Sequence, residues 1–225
     1  MGQALLRLCA AREDCLVVAA VGRRVAQRVA GGVPHFAAHE LNGVPAFDVA
    51  IDFSLPDGFD AILALCVERN AAFVSGTTGL ADAQREALAA AATRIPLLWA
   101  SNFSIGVAVL NELVRRTAEL VPDWDCDIVE SHHSQKRDAP SGTAVTLASV
   151  VEAVRGHAPP VASLRAGDIV GEHLVQFTSR GERLELVHRA THRDLFAAGA
   201  LRAAVALQGR PAQVYRLADV LFSAT

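Results

Sequence analysis

One stretch of this 225-residue chain concentrates groups able to move protons and bind anions. It reads Glu130-Ser131-His132-His133-Ser134-Gln135-Lys136-Arg137-Asp138-Ala139-Pro140-Ser141-Gly142-Thr143. Two histidines, a lysine and an arginine lie between an apolar run of strand length and the start of a helical pattern. A histidine can give or take a proton near neutral pH. A helix start presents backbone N–H groups without intrahelical acceptors, and glycine there lets an anion approach closely. Lys136 adds a full positive charge. The composite suits a carboxylate or phosphate held beside a proton-transferring histidine. The same residues also suit a surface loop with an ordinary N-cap at Ser141, and spacing alone leaves both readings open.

Three other segments sit where a ligand could be met. Gly76-Thr77-Thr78-Gly79 follows a short apolar run and is either a plain turn or a cofactor contact. Ala100-Ser101-Asn102-Phe103 ends another run, where an asparagine and an aromatic could edge a nicotinamide ring or cap the next helix. Gly22-Arg23-Arg24 ends the first apolar run. In a dinucleotide fold an acidic residue there reads a ribose 2′-hydroxyl, whereas arginines suit a 2′-phosphate; two solvated loop arginines are the alternative. His35 and His39, and His188 and His192, are four apart. No cysteine or further histidine completes zinc spacing, so no metal site is expected.

The elements that must position these groups can be read from hydrophobic spacing. Helical patterns cover residues 3–11, 57–69 and 81–93. Continuous apolar runs of strand length cover 16–21, 47–53, 71–75 and 96–100. Alternating strands and helices predict a parallel sheet covered on both faces, with ligands beyond the carboxyl ends of the strands. A long helix, roughly 105–120, then changes the pattern. A strand over 126–133 leads through the polar loop into a helix ending near Arg155. Runs over 162–165, 173–179 and 183–189 alternate as antiparallel strands with one wet face do, with a turn at Gly181-Glu182. A last helix over about 194–207 returns to the first domain. The expected organisation is two lobes: a doubly wound α/β lobe of residues 1–103 with 194–225, and an α+β lobe of residues 104–193 inserted before the C-terminal helix.

Composition narrows the class. The chain is 52% hydrophobic and 20% charged, which excludes an intrinsically disordered protein. A net charge of -3 supplies no global basic field for nucleic acid. The longest uncharged stretch, residues 95–111, contains Pro96, Asn102 and Gly106 and falls short of a membrane span. Arg7 and Arg12 interrupt the first apolar turns, so no signal peptide is read. Cys9, Cys15, Cys66 and Cys126 have no C-x-x-C spacing and read as buried thiols in a reducing, cytoplasmic compartment.

The run from Glu130 to Thr143 resembles the signature of the 4-hydroxy-tetrahydrodipicolinate reductase (dihydrodipicolinate reductase) family. Other segments resemble the same family: Ile51 to Pro56, Gly76 to Gly79, Asn102 to Val107, Arg165 to His173 and Gly181 to Glu185. The resemblance implies a Rossmann-like doubly wound parallel sheet plus an α+β domain whose mixed open sheet builds a homotetramer. It implies reduction of a cyclic dicarboxylate, 4-hydroxy-tetrahydrodipicolinate, by NADPH or NADH in lysine and diaminopimelate synthesis. On matching positions, His132 is the proton donor or acceptor and Lys136 the second proton donor. His133, Lys136, Ser141, Gly142, Thr143 and Arg193 hold the substrate. Gly2, Arg23, Gly76, Thr77, Thr78, Ala100, Ser101, Asn102 and Phe103 face the cofactor.

The chain departs from the family pattern at its start. Met1-Gly2 matches only the end of the Gly-rich phosphate turn, so the expectation is a longer native product; the alternative is a shortened, catalytically impaired or noncatalytic relative. Gly22 replaces the usual acidic ribose reader, and Arg23 and Arg24 follow it, so NADPH is expected to be preferred. Two other readings are a dinucleotide-sensing regulator on the same scaffold and a sugar or aspartate dehydrogenase. The first predicts damage to the His-Lys-Ser-Gly-Thr loop, which is intact. The second needs no dicarboxylate cradle.

Overall fold

The structure, a computed structural model, describes residues 1–23 and 29–222. The chain divides into two compact units, Met1–Phe103 with Phe196–Thr225, and Ser104–Leu195. The first unit begins with helix α1 (Gly2–Cys9), β1 (Ala20–Gly22), β2 (Val29–Ala30) and β3 (Val33–Ala37). A 3-10 segment (Ala38–Gly43) leads to β4 (Val49–Asp52), α2 (Pro56–Arg69), β5 (Ala72–Ser75), α3 (Asp82–Ala91) and β6 (Pro96–Trp99). After the second unit the chain returns through α6 (Asp194–Leu207), β11 (Gln213–Tyr215) and α7 (Leu217–Leu221).

Four strands form a parallel sheet in the order β11-β6-β5-β4. Every residue of β5 is buried, as a central parallel strand requires. Pro56 occupies the first turn of α2, where its missing N–H costs nothing. Asn70 ends that helix in the left-handed conformation. Phe59, Leu63 and Cys66 of α2 pack with Phe73, Leu88, Ile95 and Leu97 into one core. In α6, Ala197, Gly199, Ala200, Ala203 and Ala204 are buried. Such small residues let a helix lie close to its neighbours, and a Cβ on Gly199 would stand 1.8 Å from the Phe103 carbonyl oxygen. A second sheet has the order β1-β3-β2, with β1 parallel and β2 antiparallel to β3.

The second unit comprises α4 (Ile105–Leu120), β7 (Asp125–His132), α5 (Gly142–Arg155), β8 (Val161–Arg165), β9 (Gly171–Ser179) and β10 (Glu182–Ala190). Its mixed sheet has the order β10-β9-β7-β8. Leu110 and Val114 of α4 and Leu147 and Val151 of α5 pack on Ile128, Val175 and Phe177, which share one face of that sheet. Serine caps both helices: Ser104 Oγ accepts from the Val107 N–H, and Ser141 Oγ from the Ala144 N–H.

The expected α/β class with a parallel sheet and a mixed open sheet holds. Several details differ. The run over 16–21 forms a strand only at its end, and Leu16 is 84% exposed. Among the described residues β1 pairs on one side alone, so this run is not sandwiched as its composition suggested. The strand over 161–165 runs parallel to β7 rather than antiparallel; helix α5 is the crossover that permits it. Cys9 and Cys66 are buried, but Cys15 and Cys126 are only half-buried. The two short strands and the 3-10 segment over 29–43, together with β11 and α7, carry no periodic pattern long enough to have been read.

Gly199→Ala is expected to destabilise the protein by about 1–3 kcal/mol, because the new methyl meets backbone that cannot rotate away. Denaturant unfolding measures this; a neutral result would mean that α6 can shift without loss.

Candidate active site

The chemistry-bearing run folds onto one end of the second unit's sheet. Alternation along β7 places Ile128, Glu130 and His132 on its buried face. On β9, Gly171, His173, Val175 and Phe177 do the same. Cross-strand register stacks these residues in rows. Ile128 lies between Val161 and Val175, and Glu130 lies between Ser163 and His173. His132 pairs with Arg165. The face is apolar beneath α4 and α5 and becomes polar toward the carboxyl end of β7.

Glu130 is fully buried, and its carboxylate gathers donors from three elements. Arg165 on β8 donates two hydrogen bonds, of 2.8 and 2.9 Å. The Ser141 N–H donates one of 3.2 Å from the start of α5. The His132 Nδ1 lies 2.5 Å away. Burial pushes the Glu130 carboxyl up, but hydrogen bonds from Arg165, Ser163 and His132 outweigh it and hold it at about 2. Burial is the largest influence on His132 and lowers its imidazole below the ordinary value. Glu130 opposes that shift, while the charges of Lys136 and Arg165 reinforce it.

Two more histidines extend the polar row. The His173 ring meets His132 edge-on at 5.2 Å, and its Nε2 lies 3.2 Å from Ser141 Oγ. The His188 Nε2 lies 3.1 Å from Ser104 Oγ. Among the described residues the Nδ1 atoms of both are buried without a hydrogen-bond partner. Burial, with the neighbouring histidine charges, pushes His173 down to about 4.

The other expected substrate residues belong to the same unit. Lys136 is 2.9 Å from the Asp138 carboxylate and partly exposed. Gly142 is exposed and Thr143 half-buried at the first turn of α5, where the helix dipole favours an anion. Arg193 donates to the His133 Nε2 at 3.3 Å. Ser141 is buried, and its hydroxyl and N–H serve the helix cap and Glu130. Its contribution to a ligand is therefore through the fold.

In the first unit, the buried Asp52 at the end of β4 organises the neighbouring turn. Its carboxylate accepts from Ser75 Oγ, Thr77 Oγ1 and the Ser54 N–H at 2.7–2.9 Å. The Thr77 N–H donates to Ser75 Oγ, and the Thr77 carbonyl accepts from the Trp99 indole. Gly76 admits Phe53: a Cβ there would stand 2.3 Å from its ring. Thr78 and Ser101 are exposed, and Ala100 and Asn102 are half-buried. Phe103 is buried against Phe53 rather than presented at an edge. Gly2 opens α1, and its N–H and that of Gln3 have no intrahelical acceptor. Arg23 is exposed, 3.5 Å from Asp57. Arg24 lies outside the described residues.

Sequence reasoning assigned no role to Asp52, Glu130, Arg165 or His173. The available signal was Glu130 and His132 two apart in a strand, hence on one face. The pairing with Arg165 crosses between strands and left no local trace.

One chain thus joins a unit with a parallel α/β sheet to an α+β unit whose mixed sheet buries a histidine against a glutamate. Residues 1–103 match the family described as dihydrodipicolinate reductase, N-terminus, and residues 106–221 match dihydrodipicolinate reductase, C-terminus. The chain is 68% identical over 224 residues to 4-hydroxy-tetrahydrodipicolinate reductase of Stenotrophomonas maltophilia strain K279a, covering 98% of this chain and 93% of that protein. Identity to the enzyme of the same name from Xylella fastidiosa strain 9a5c is 60% over 222 residues, with the same coverage. The fold is similar to dipicolinate-bound dihydrodipicolinate reductase from Paenisporosarcina sp. TG-14 (TM-score 0.83, 23% identity, 98% of this chain and 95% of that one). It is less similar to C. glutamicum DAP dehydrogenase (TM-score 0.62, 13% identity, 99% and 92%). The chain belongs to the dihydrodipicolinate reductase family, whose members are oxidoreductases.

His173 generates a pH prediction. Its folded value, about 4, lies below the ordinary histidine value, so between the two the unfolded chain binds more protons. Stability is therefore expected to fall as pH drops from about 6.5 to about 4. His173→Gln should remove one proton's share of that slope, at most about 1.4 kcal/mol per pH unit. His132 and His188, also held low, keep the remainder. Denaturant unfolding across this range is the measurement, and an unchanged slope would contradict the burial of His173 as a neutral ring.

Proposed function

We propose that this chain reduces 4-hydroxy-tetrahydrodipicolinate to tetrahydrodipicolinate with a nicotinamide dinucleotide, as its family membership implies. The observation that carries the reading is the folding of one run, Glu130 to Thr143, into a histidine, a lysine and a helix N-terminus at one end of one sheet. That set matches a cyclic dicarboxylate. One substrate carboxylate is held by Lys136 and the Gly142 and Thr143 N–H groups at the positive end of α5. His133 and Arg193, already in contact, serve the other. Binding a dianion replaces the Asp138 contact of Lys136 and raises the tendency of His132 to carry a proton. The 4-hydroxyl leaves as water, so that one hydride and one net proton are taken up; His132 donates its proton to the reduced carbon skeleton, and Lys136 is the second donor.

The dinucleotide, when bound, supplies the hydride. The first unit fits such a group: the N–H groups opening α1 suit a pyrophosphate, and the turn braced by Asp52 ends a parallel strand. Gly76, Thr78, Ala100, Ser101 and Asn102 face the nicotinamide portion, while Thr77 and Phe103 hold the shape of that turn from within. An exposed Arg23 that exchanges Asp57 for a ribose 2′-phosphate supports the reading of NADPH as the preferred donor.

The assembly proposed is a cytoplasmic homotetramer. Exposed Leu164, Leu184 and Val187 on the second unit's sheet, and the open edge at β10, support it. Among the described residues no helix is long and apolar enough to cross a membrane.

Substrate-dependent oxidation of NADPH tests the reaction. It should be inhibited by pyridine-2,6-dicarboxylate, a planar dianion; turnover without such inhibition favours another dehydrogenase. His132→Gln should lower kcat by roughly 10²–10⁴, and Lys136→Met should also raise KM. Arg23→Ala should lower kcat/KM for NADPH and leave NADH nearly unchanged; equal losses with both cofactors would remove the 2′-phosphate assignment.

A further inference from the structure

We propose that Glu130, neutralised by Arg165, is the positioning residue for His132, fixing the imidazole as the Nδ1–H tautomer with Nε2 as its working nitrogen. The proposal rests on the reading of His132 as the proton donor, and it assigns that residue's support.

The geometry admits few alternatives. The Glu130 carboxylate lies 2.5 Å from Nδ1. Already held by two hydrogen bonds from Arg165 and one from the Ser141 N–H, it stays ionised and can only accept. Nδ1 must therefore carry the hydrogen. Nε2 lies beside Gly171, where a Cβ would stand 3.0 Å from it. Glycine at 171 keeps that side of the ring uncrowded. The Arg165 guanidinium is itself anchored to the Asp138 and Leu164 carbonyls, so the carboxylate cannot swing away from the ring.

Arg165 also changes what the carboxylate does. A buried glutamate facing a histidine alone would hold it permanently as imidazolium. Here the glutamate's charge is matched, and burial leaves His132 neutral before substrate arrives. The groups facing the ring are Glu130 on its own strand, Arg165 from β8, His173 from β9 and Lys136 from the loop. Among these only Glu130 favours the proton. A dianionic substrate that engages Lys136 reverses the balance, so proton uptake accompanies binding. Glu130 thus sets orientation, and the substrate sets charge.

The first test leaves Glu130 and Arg165 unaltered. Protein carrying ¹⁵N-histidine is examined at neutral pH, with the His132 resonances identified by their loss in His132→Gln. The Nδ1–H tautomer is expected; an Nε2–H tautomer overturns the proposal. This readout is independent of turnover, so it stands or falls separately from the assigned reaction, which fails if the unaltered protein does not reduce the substrate. The second test is Glu130→Gln. Losing the carboxylate leaves Arg165 to repel the imidazolium. The alkaline limb of the pH profile should therefore move to lower pH, with kcat reduced by at least about tenfold and KM changed much less. Glu130→Asp keeps the charge but withdraws it by one methylene, and should lower kcat with a smaller shift of the limb. A folded Glu130→Gln enzyme with unaltered kcat and pH profile overturns the assignment. If that variant does not fold, the tautomer measurement and Glu130→Asp decide.

Discussion

A carboxylate buried without water must be met by donors on every side, because an unpaired interior charge is far costlier than any contact it displaces. Glu130 imposes that constraint on the second unit. Its donors come from its own strand, from Arg165 on β8 and from the first turn of α5. Satisfying one side chain thereby fixes three elements relative to one another. The loop between β7 and α5 is then pinned at both ends, and Lys136 and the α5 N-terminus are carried to the histidine.

The sheet that bears Glu130 joins stability and chemistry on a single face. Ile128, Val175 and Phe177 give it an apolar floor under α4 and α5. One row further along, serine, glutamate and two histidines replace the aliphatics. Each of these side chains meets a helix cap or another side chain, while among the described residues the Nδ1 atoms of both histidines stay without a partner. The serine caps belong to this arrangement: Ser141 and Ser104 each complete a helix, and they meet the buried His173 and the half-buried His188.

The first unit uses a related device with a different outcome. Asp52, also buried at a strand's carboxyl end, collects the Ser54 N–H and the hydroxyls of Ser75 and Thr77. Among the described residues no basic group is hydrogen-bonded to that carboxylate. Asp52 braces a turn and holds no proton-transfer partner. Two buried carboxylates thus perform two tasks, set by whether hydroxyls or an arginine and a histidine surround them.

Much of this was determined by the sequence alone. Long periodic segments dictated α2, α4, α5 and α6, because repeated burial of one helix face leaves a regular trace. Alternation over 173–189 marked β9 and β10. The run from Glu130 to Thr143 carried the site's residue types and the family, since those residues are neighbours along the chain. Tertiary structure decided what depends on partners remote in sequence. It set β8 parallel to β7 and stopped β1 at three residues. It turned Ser141, Thr77 and Phe103 inward. It also brought Arg165, thirty-five residues on, to Glu130. A residue's type limits which bonds it can make, but only the pairing of strands decides which groups lie near enough to make them.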